Sequence, residues 1–342
     1  GGGGARGAPP PPPARLRVRP RYTHLEGVSE FLPGQQVPIR EMAQRYKPGI
    51  PPDELLALDP ALLRDPALDI SGLHCHVARH SRRPELFADM IASFVELLAE
   101  LRDVWGGWRP RELDLGGGFS FRGDPVGLAG LNDEELAAVP GEPTAAQYCD
   151  LLASALRREL SAHGVDAAGL CLEIEPGRAV YGPTGLHLAR VVNIKEQHDP
   201  VTRRWIETDT SEAFLPDVNL EHVRWATIAP EKAVAPLVAT ADVVGISCGF
   251  DLLVPDAGVP EMAPGDLLAF LATGAYQDAG ANTFNALPRP ATVLVHGSQA
   301  EVIKRRETVA EVFARDVVPE RLGGMPHWNP DGRSTGGGKE QQ

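Results

Sequence analysis

From residue 15 to about residue 181, short apolar runs alternate with longer stretches in which apolar side chains recur every three or four positions. Strand-like runs cover residues 15–19, 70–77, 112–115 and 170–175. Between the second and third of them, residues 84–105 place Leu86, Met90, Ile91, Phe94, Leu97, Leu98 and Leu101 at helical spacing, enough for one continuous apolar face. Residues 144–163 read as a further helix between the third and fourth. This alternation predicts a parallel sheet with crossover helices, either doubly wound or a (β/α) barrel. Ligands bind at the carboxyl ends of such strands. The last three strands end in His74-Cys75-His76, in Gly116-Gly117-Gly118 and in Glu175-Pro176-Gly177-Arg178.

After Tyr181 the texture changes. Strand-like runs at 189–194, 205–208, 243–246, 267–271 and 292–295 are separated by turns rich in Pro, Gly and Asp, which predicts a small all-β domain. The first residues, four glycines followed shortly by the five prolines 9–13, offer nothing to bury and are expected to be disordered, as is the tail from 323. No internal repeat is visible.

Composition narrows the function classes. A formal charge of −13 on 342 residues disfavours general affinity for nucleic acid or anionic membranes, although one local basic pocket for a phosphate remains compatible with it. Cys75, Cys149, Cys171 and Cys248 form no CxxC pair, so neither a disulfide scaffold nor a Cys-rich zinc site is expected, and a reducing cytoplasm fits. No apolar run reaches the roughly 20 residues of a membrane span. The first 13 residues lack the apolar core of a signal peptide.

Each strand end has two readings. Three glycines after a strand bring the backbone close to a ligand with N–H groups available for a phosphate, or simply make a tight turn. Glu175 beside Arg178 is a structural ion pair, or a carboxylate for a protonated heterocycle next to a phosphate-binding guanidinium. His74 and His76 share one side of a strand, as core histidines, as a metal-ligand pair, or with a ring lying flat on an aromatic cofactor. Cys248, in Gly245-Ile-Ser-Cys-Gly-Phe-Asp251, is a small buried hydrophobe or a reactive thiol. Tyr276 passes as a strand aromatic.

Taken in order, these segments resemble the fold type III pyridoxal-phosphate (PLP) decarboxylases, the diaminopimelate and ornithine decarboxylase group with an alanine-racemase-like barrel. The resemblance is carried by Gly72-Leu-His-Cys-His76, Leu113-Asp-Leu-Gly-Gly-Gly-Phe119, Glu173-Ile-Glu-Pro-Gly-Arg178, Gly274-Ala-Tyr276, and Asn282-Thr-Phe-Asn285 leading into Pro288-Arg-Pro290. Ile303-Lys-Arg-Arg-Glu-Thr308 also looks like the end of diaminopimelate decarboxylases. It implies that His76 stacks on the pyridine ring, while Gly116, Gly117, Gly118, Gly177, Arg178 and Tyr276 hold the phosphate. Glu175 would pair with the ring nitrogen. Cys248 would deliver a proton after decarboxylation, acting in the neighbouring subunit of a homodimer. The substrate implied is an amino acid.

The pattern also breaks. Such enzymes bind PLP on a lysine in a Tyr-Ala-x-Lys-like motif. None of Lys47, Lys195, Lys232, Lys304 and Lys339 stands in one, and Lys47 instead resembles a later family segment. A full barrel takes about 250 residues, so the first half-barrel and its lysine are expected upstream, with this chain inactive alone. The expected organisation is a low-complexity start at 1–14, a partial PLP-binding (β/α) barrel at 15–185, a small β-barrel domain at 186–322 and a tail at 323–342. A half-barrel would leave sheet edges open and an apolar interior uncovered, favouring aggregation or dye binding. Where the family has a phosphate-binding serine, this chain has Arg79. The cysteine loop is one residue short and lacks its acid after Cys248, which removes a carboxylate for a distal amino group. Two rival readings are a metal-dependent barrel hydrolase using His74 and His76, and a non-catalytic homologue that binds a partner.

Overall fold

A computed structural model describes residues 12–21, 28–32, 35–38, 41, 47–76, 78–79, 81–129, 131–139 and 141–322. The tail and most of the low-complexity start lie outside these residues, as does Tyr46 before Lys47. In chain order the elements are β1 (Ala14–Val18), β2 (Val28–Leu32), β3 (Gln35–Pro38), α1 (Pro52–Leu56), β4 (Leu68–His74), α2 (Glu85–Val104), β5 (Glu112–Asp114), α3 (Asp133–Ala138), α4 (Ala145–Ala162), β6 (Cys171–Glu173) and α5 (Gly177–Tyr181). There follow β7 (Leu186–Gln197), β8 (Arg203–Thr208), α6 (Asp217–Leu220), β9 (Thr227–Ile228), β10 (Ala239–Val244), β11 (Leu252–Val259), β12 (Leu267–Leu271), α7 (Gln277–Gly280), β13 (Thr292–His296), β14 (Gln299–Lys304) and α8 (Val309–Val312).

β1, β4, β5 and β6 form a four-stranded sheet in that order, every pairing parallel. The crossover helices α2 and α4 cover one face. Thr144 caps α4 in a reciprocal capping box with Gln147. Along α2, Phe87, Met90, Ile91, Phe94, Leu98 and Leu101 are buried against Leu73, Cys75, Leu113 and Leu115 of the sheet and Leu152 and Leu156 of α4. Each such large side chain taken out of water contributes about 1.5–3 kcal/mol. Phe87 stacks on Phe119 with centroids 4.7 Å apart, and Tyr148 meets both rings edge-on.

The opposite face corrects the expectation of an uncovered apolar interior. It is charged. Arg17 of β1 reaches Glu112 Oε2 at 3.0 Å and Asp114 Oδ2 at 3.0 Å on β5, and Glu173 Oε2 at 2.6 Å on β6. Arg15 also pairs with Glu112, and Ser71 donates to Glu112 Oε2 at 2.9 Å. Alternation along β1 therefore sends arginines to this face and Val18 to the helix-covered one.

The second sheet has the order β11-β10-β8-β7-β12-β9 and is nearly closed; β8 and β10 are parallel, the rest antiparallel. Its core contains Trp225, Phe270, Ile206, Leu253 and Val259, and takes in Val126 from the loop after β5. That loop joins the two parts: Gly127 and Ala129 donate to the carbonyls of Glu221 and His222, and Arg224 donates to that of Pro125. Among the described residues no helix is long and apolar enough to cross a membrane.

Candidate functional site

The carboxyl ends of β4, β5 and β6 crowd together, and this crowding is what the glycines serve. A Cβ on Gly116 would lie 2.2 Å from the Cys75 carbonyl oxygen, one on Gly117 2.5 Å from that of Glu175, and one on Gly118 2.2 Å from that of Ala78. Gly116 and Gly118 also have φ of +67° and +90°. Two of the three amides expected to face a phosphate are already engaged: Gly116 N–H donates to Asp114 Oδ1 at 2.9 Å and Gly117 N–H to His76 Nδ1 at 3.3 Å.

Glu175 sits at the centre of this group. His76 Nδ1 is 3.3 Å from Glu175 Oε2, and His74 Nδ1 is 3.8 Å from Glu175 Oε1 and 3.0 Å from Asp114 Oδ2. Burial pushes the Asp114 carboxyl up, but hydrogen bonds from Gly116 N–H and His74, together with the His74 charge, outweigh it and leave it below its ordinary value. Sequence reasoning passed over Asp114 and Glu112. Their partner arginines lie on β1, two strands away in the sheet order, so no local pattern marks them.

His74, Asp114 and Glu175 are also the one group of His, Cys, Asp and Glu among the described residues close enough to hold a metal ion, their ligand atoms lying within 4.8 Å of one another. Arg17 already supplies Asp114 with a cation at 3.0 Å, which disfavours a metal there.

One turn later, α5 delivers Gly177 and Arg178. Arg178 is 3% exposed, and its Nη2 donates to Asp217 Oδ2 at 2.5 Å. Among the described residues, Nε and Nη1 have no hydrogen-bond partner and are buried. The Tyr276 ring lies over the guanidinium, its centroid 4.8 Å from Cζ, and its hydroxyl would be 3.2 Å from a Cβ on Gly177. Tyr276 belongs to no strand: it caps α7 in the left-handed region, φ +68°, after Thr273 and Gly274 bond back to Gly185 and Gly182. Arg79, where a serine was expected, pairs with Glu221 at 2.6 Å.

Cys248 is exposed in the loop after β10, where Asn285 Nδ2 donates to its Sγ at 3.2 Å. Among the described residues, no hydrogen bond links its Sγ to His76, Glu175 or Arg178. A cleft of about 330 Å³ lies elsewhere, between β7, β8, β10 and β11; its Arg203 and Arg204 are paired with Asp242, Asp256 and Glu196.

No family model matches the chain. It is 28% identical over 257 residues to the diaminopimelate decarboxylase of Bacillus subtilis, covering 75% of this chain and 54% of that protein. With the diaminopimelate decarboxylase of Actinosynnema pretiosum the identity is 33% over 258 residues, 75% of this chain and 53% of the other. The chain thus spans about half the length of the curated relatives it matches. Its fold is that of the solved diaminopimelate decarboxylase of M. jannaschii, with a TM-score of 0.74 at 22% identity over 91% of this chain and 65% of that one. The lysine/ornithine decarboxylase of Vibrio vulnificus, solved with putrescine, gives 0.59 at 19% identity over 80% of this chain and 62% of that one. The relatives and structural neighbours are diaminopimelate/ornithine-type decarboxylases of the fold type III PLP-dependent family.

Proposed function

We propose that this chain supplies the later part of a PLP-dependent amino-acid decarboxylase, including most of its cofactor cup. The observation that carries the reading is Arg178: two buried guanidinium donors without an acceptor, under a tyrosine and three residues from a carboxylate that two imidazoles approach. Buried donors are rarely left without a partner. Separate phosphate oxygens, one on Nε and one on Nη1, with the Tyr276 hydroxyl and Gly177 beside them, would satisfy them. Glu175 would then hold the ring nitrogen and His76 would support the ring. When bound, PLP supplies an electron sink for the bond to the departing carboxylate. The residues here anchor the phosphate, fix the ring plane and hold a proton at the ring nitrogen.

Cys248 we assign as the proton donor in the site of a second copy, which makes the working form a homodimer. The acid missing after Cys248 has a substitute from another segment. A Cβ on Gly249 would fall 2.7 Å from Glu212 Oε1, so a carboxylate stands at the position after Cys248. This supports an amino-acid substrate with a distal ammonium group.

The test is CO2 release from amino acids by the gene product that contains this chain, with PLP binding measured alongside. Glu175→Gln should lower turnover at least about 100-fold while the PLP dissociation constant moves by less than about fivefold. Borohydride reduction followed by peptide mapping should place no stoichiometric label on Lys47, Lys195, Lys232 or Lys304. A protein that binds PLP yet releases no CO2 refutes the reaction; one that does not bind PLP refutes the cofactor.

A further inference from the structure

The guanidinium of Arg178 is held from the far side by residues that no assigned role covers. Asp217, 3% exposed at the start of α6, accepts from Arg178 Nη2 at 2.5 Å and from Gln277 Nε2 at 2.7 Å, both on Oδ2. Gln277, buried at the start of α7, is fixed in turn: its Nε2 also donates to the Ala275 carbonyl at 3.0 Å, and its Oε1 accepts from the Asp217 amide at 3.4 Å. A guanidinium carries its five N–H donors in one rigid plane. Pinning Nη2 on one side therefore decides where Nε and Nη1 point. Those are the two nitrogens left buried and without an acceptor.

We propose that Asp217 and Gln277 are positioning residues that fix the Arg178 guanidinium so that Nε and Nη1, on either side of the pinned Nη2, are presented to the phosphate of the cofactor. Both come from the part of the chain after β7, whereas Arg178 stands at the end of the parallel sheet. Preference for a phosphorylated ligand is thus set from the second sheet's side of the junction. The inference rests on the cofactor reading above.

The experiment compares pyridoxal phosphate with pyridoxal, each titrated into the protein and followed by calorimetry, with inorganic phosphate as competitor. The parent should prefer the phosphorylated form by about tenfold or more, the value of a charge-assisted hydrogen bond to an oxyanion. Asp217→Ala should remove most of this preference, and Gln277→Met should reduce it about threefold to tenfold, with pyridoxal affinity unchanged in both. Gln277→Met keeps the packing volume, so it carries the test if Asp217→Ala does not fold. A folded variant that keeps the preference within about twofold overturns the inference, as does parallel weakening of both ligands, which marks a purely structural role. A parent that shows no preference for the phosphate overturns the cofactor reading itself, a separate result.

Discussion

Asp124 offers a quantitative check on the junction around Arg178. It is fully buried in the loop after β5, where its Oδ1 accepts from Val126 N–H at 3.1 Å. Burial raises its carboxyl from the ordinary 3.8 to about 6, against the lowering effect of the Val126 amide and of Arg178 and Arg82. For an acid raised on folding, the folded state holds the proton longer than the unfolded state. Stability is therefore fully present below 3.8 and declines as pH rises to about 6. A shift of this size is worth about 3 kcal/mol above that window. Asp124→Asn keeps the Oδ1 acceptor and removes the titration. It should stabilise the protein by up to about 3 kcal/mol at pH 7.5, a rise in Tm of about 5–10 °C, and leave it unchanged near pH 4. Thermal unfolding of parent and variant at both values measures the difference. Equal destabilisation at both would mean that Asp124 is ionised in the fold and that its attraction to Arg82 and Arg178 outweighs burial.

Two further substitutions probe the parallel sheet. Arg17→Met removes the cation shared by Glu112, Asp114 and Glu173; since Glu112 keeps Arg15 and Ser71, and Asp114 keeps Gly116 N–H, the cost should be about 1–3 kcal/mol in denaturant unfolding, below that of a fully orphaned buried charge. Gly118→Ala sets a Cβ 2.2 Å from the Ala78 carbonyl at φ +90°, whereas Gly123→Ala at φ +80° meets nothing within 4 Å. The first should yield little folded protein, and the second should cost about 1–2 kcal/mol, the backbone term alone; equal costs would show that the strand ends are not crowded.

Most of the sheet was legible because its signals are local. The four parallel strands and both long helices fall within two or three residues of where periodicity sets them, since β4 and β5 and α2 each place apolar residues on one covered face. The character of the other face was not legible. It depends on which strand lies beside β1, and only the pairing with β4, with β5 next in order, shows that Arg15 and Arg17 meet Glu112 and Asp114. The same limit hid Asp217 and Gln277. Each lies on a helix of four residues with no period to read, and each matters through Arg178, 39 residues from Asp217 along the chain. Gly116, Gly117 and Gly118 were found for a chemical reason, yet the contacts around them show that packing alone requires their lack of a side chain.

The parallel pairings also set an order in time. Ala14 meets Leu68, Gly72 meets Glu112, and Glu112 meets Cys171, so each contact between neighbouring strands closes a loop of about 40–60 residues before any ladder bond repays it. β7 with β8, and β13 with β14, are hairpins joined by a few residues. Local pairings form early and non-local ones late. The hairpins of the later part thus have a head start over the sheet that carries His76 and Glu175. Arg178, last to leave that sheet, meets Asp217 and Gln277 on a surface with the faster route to structure.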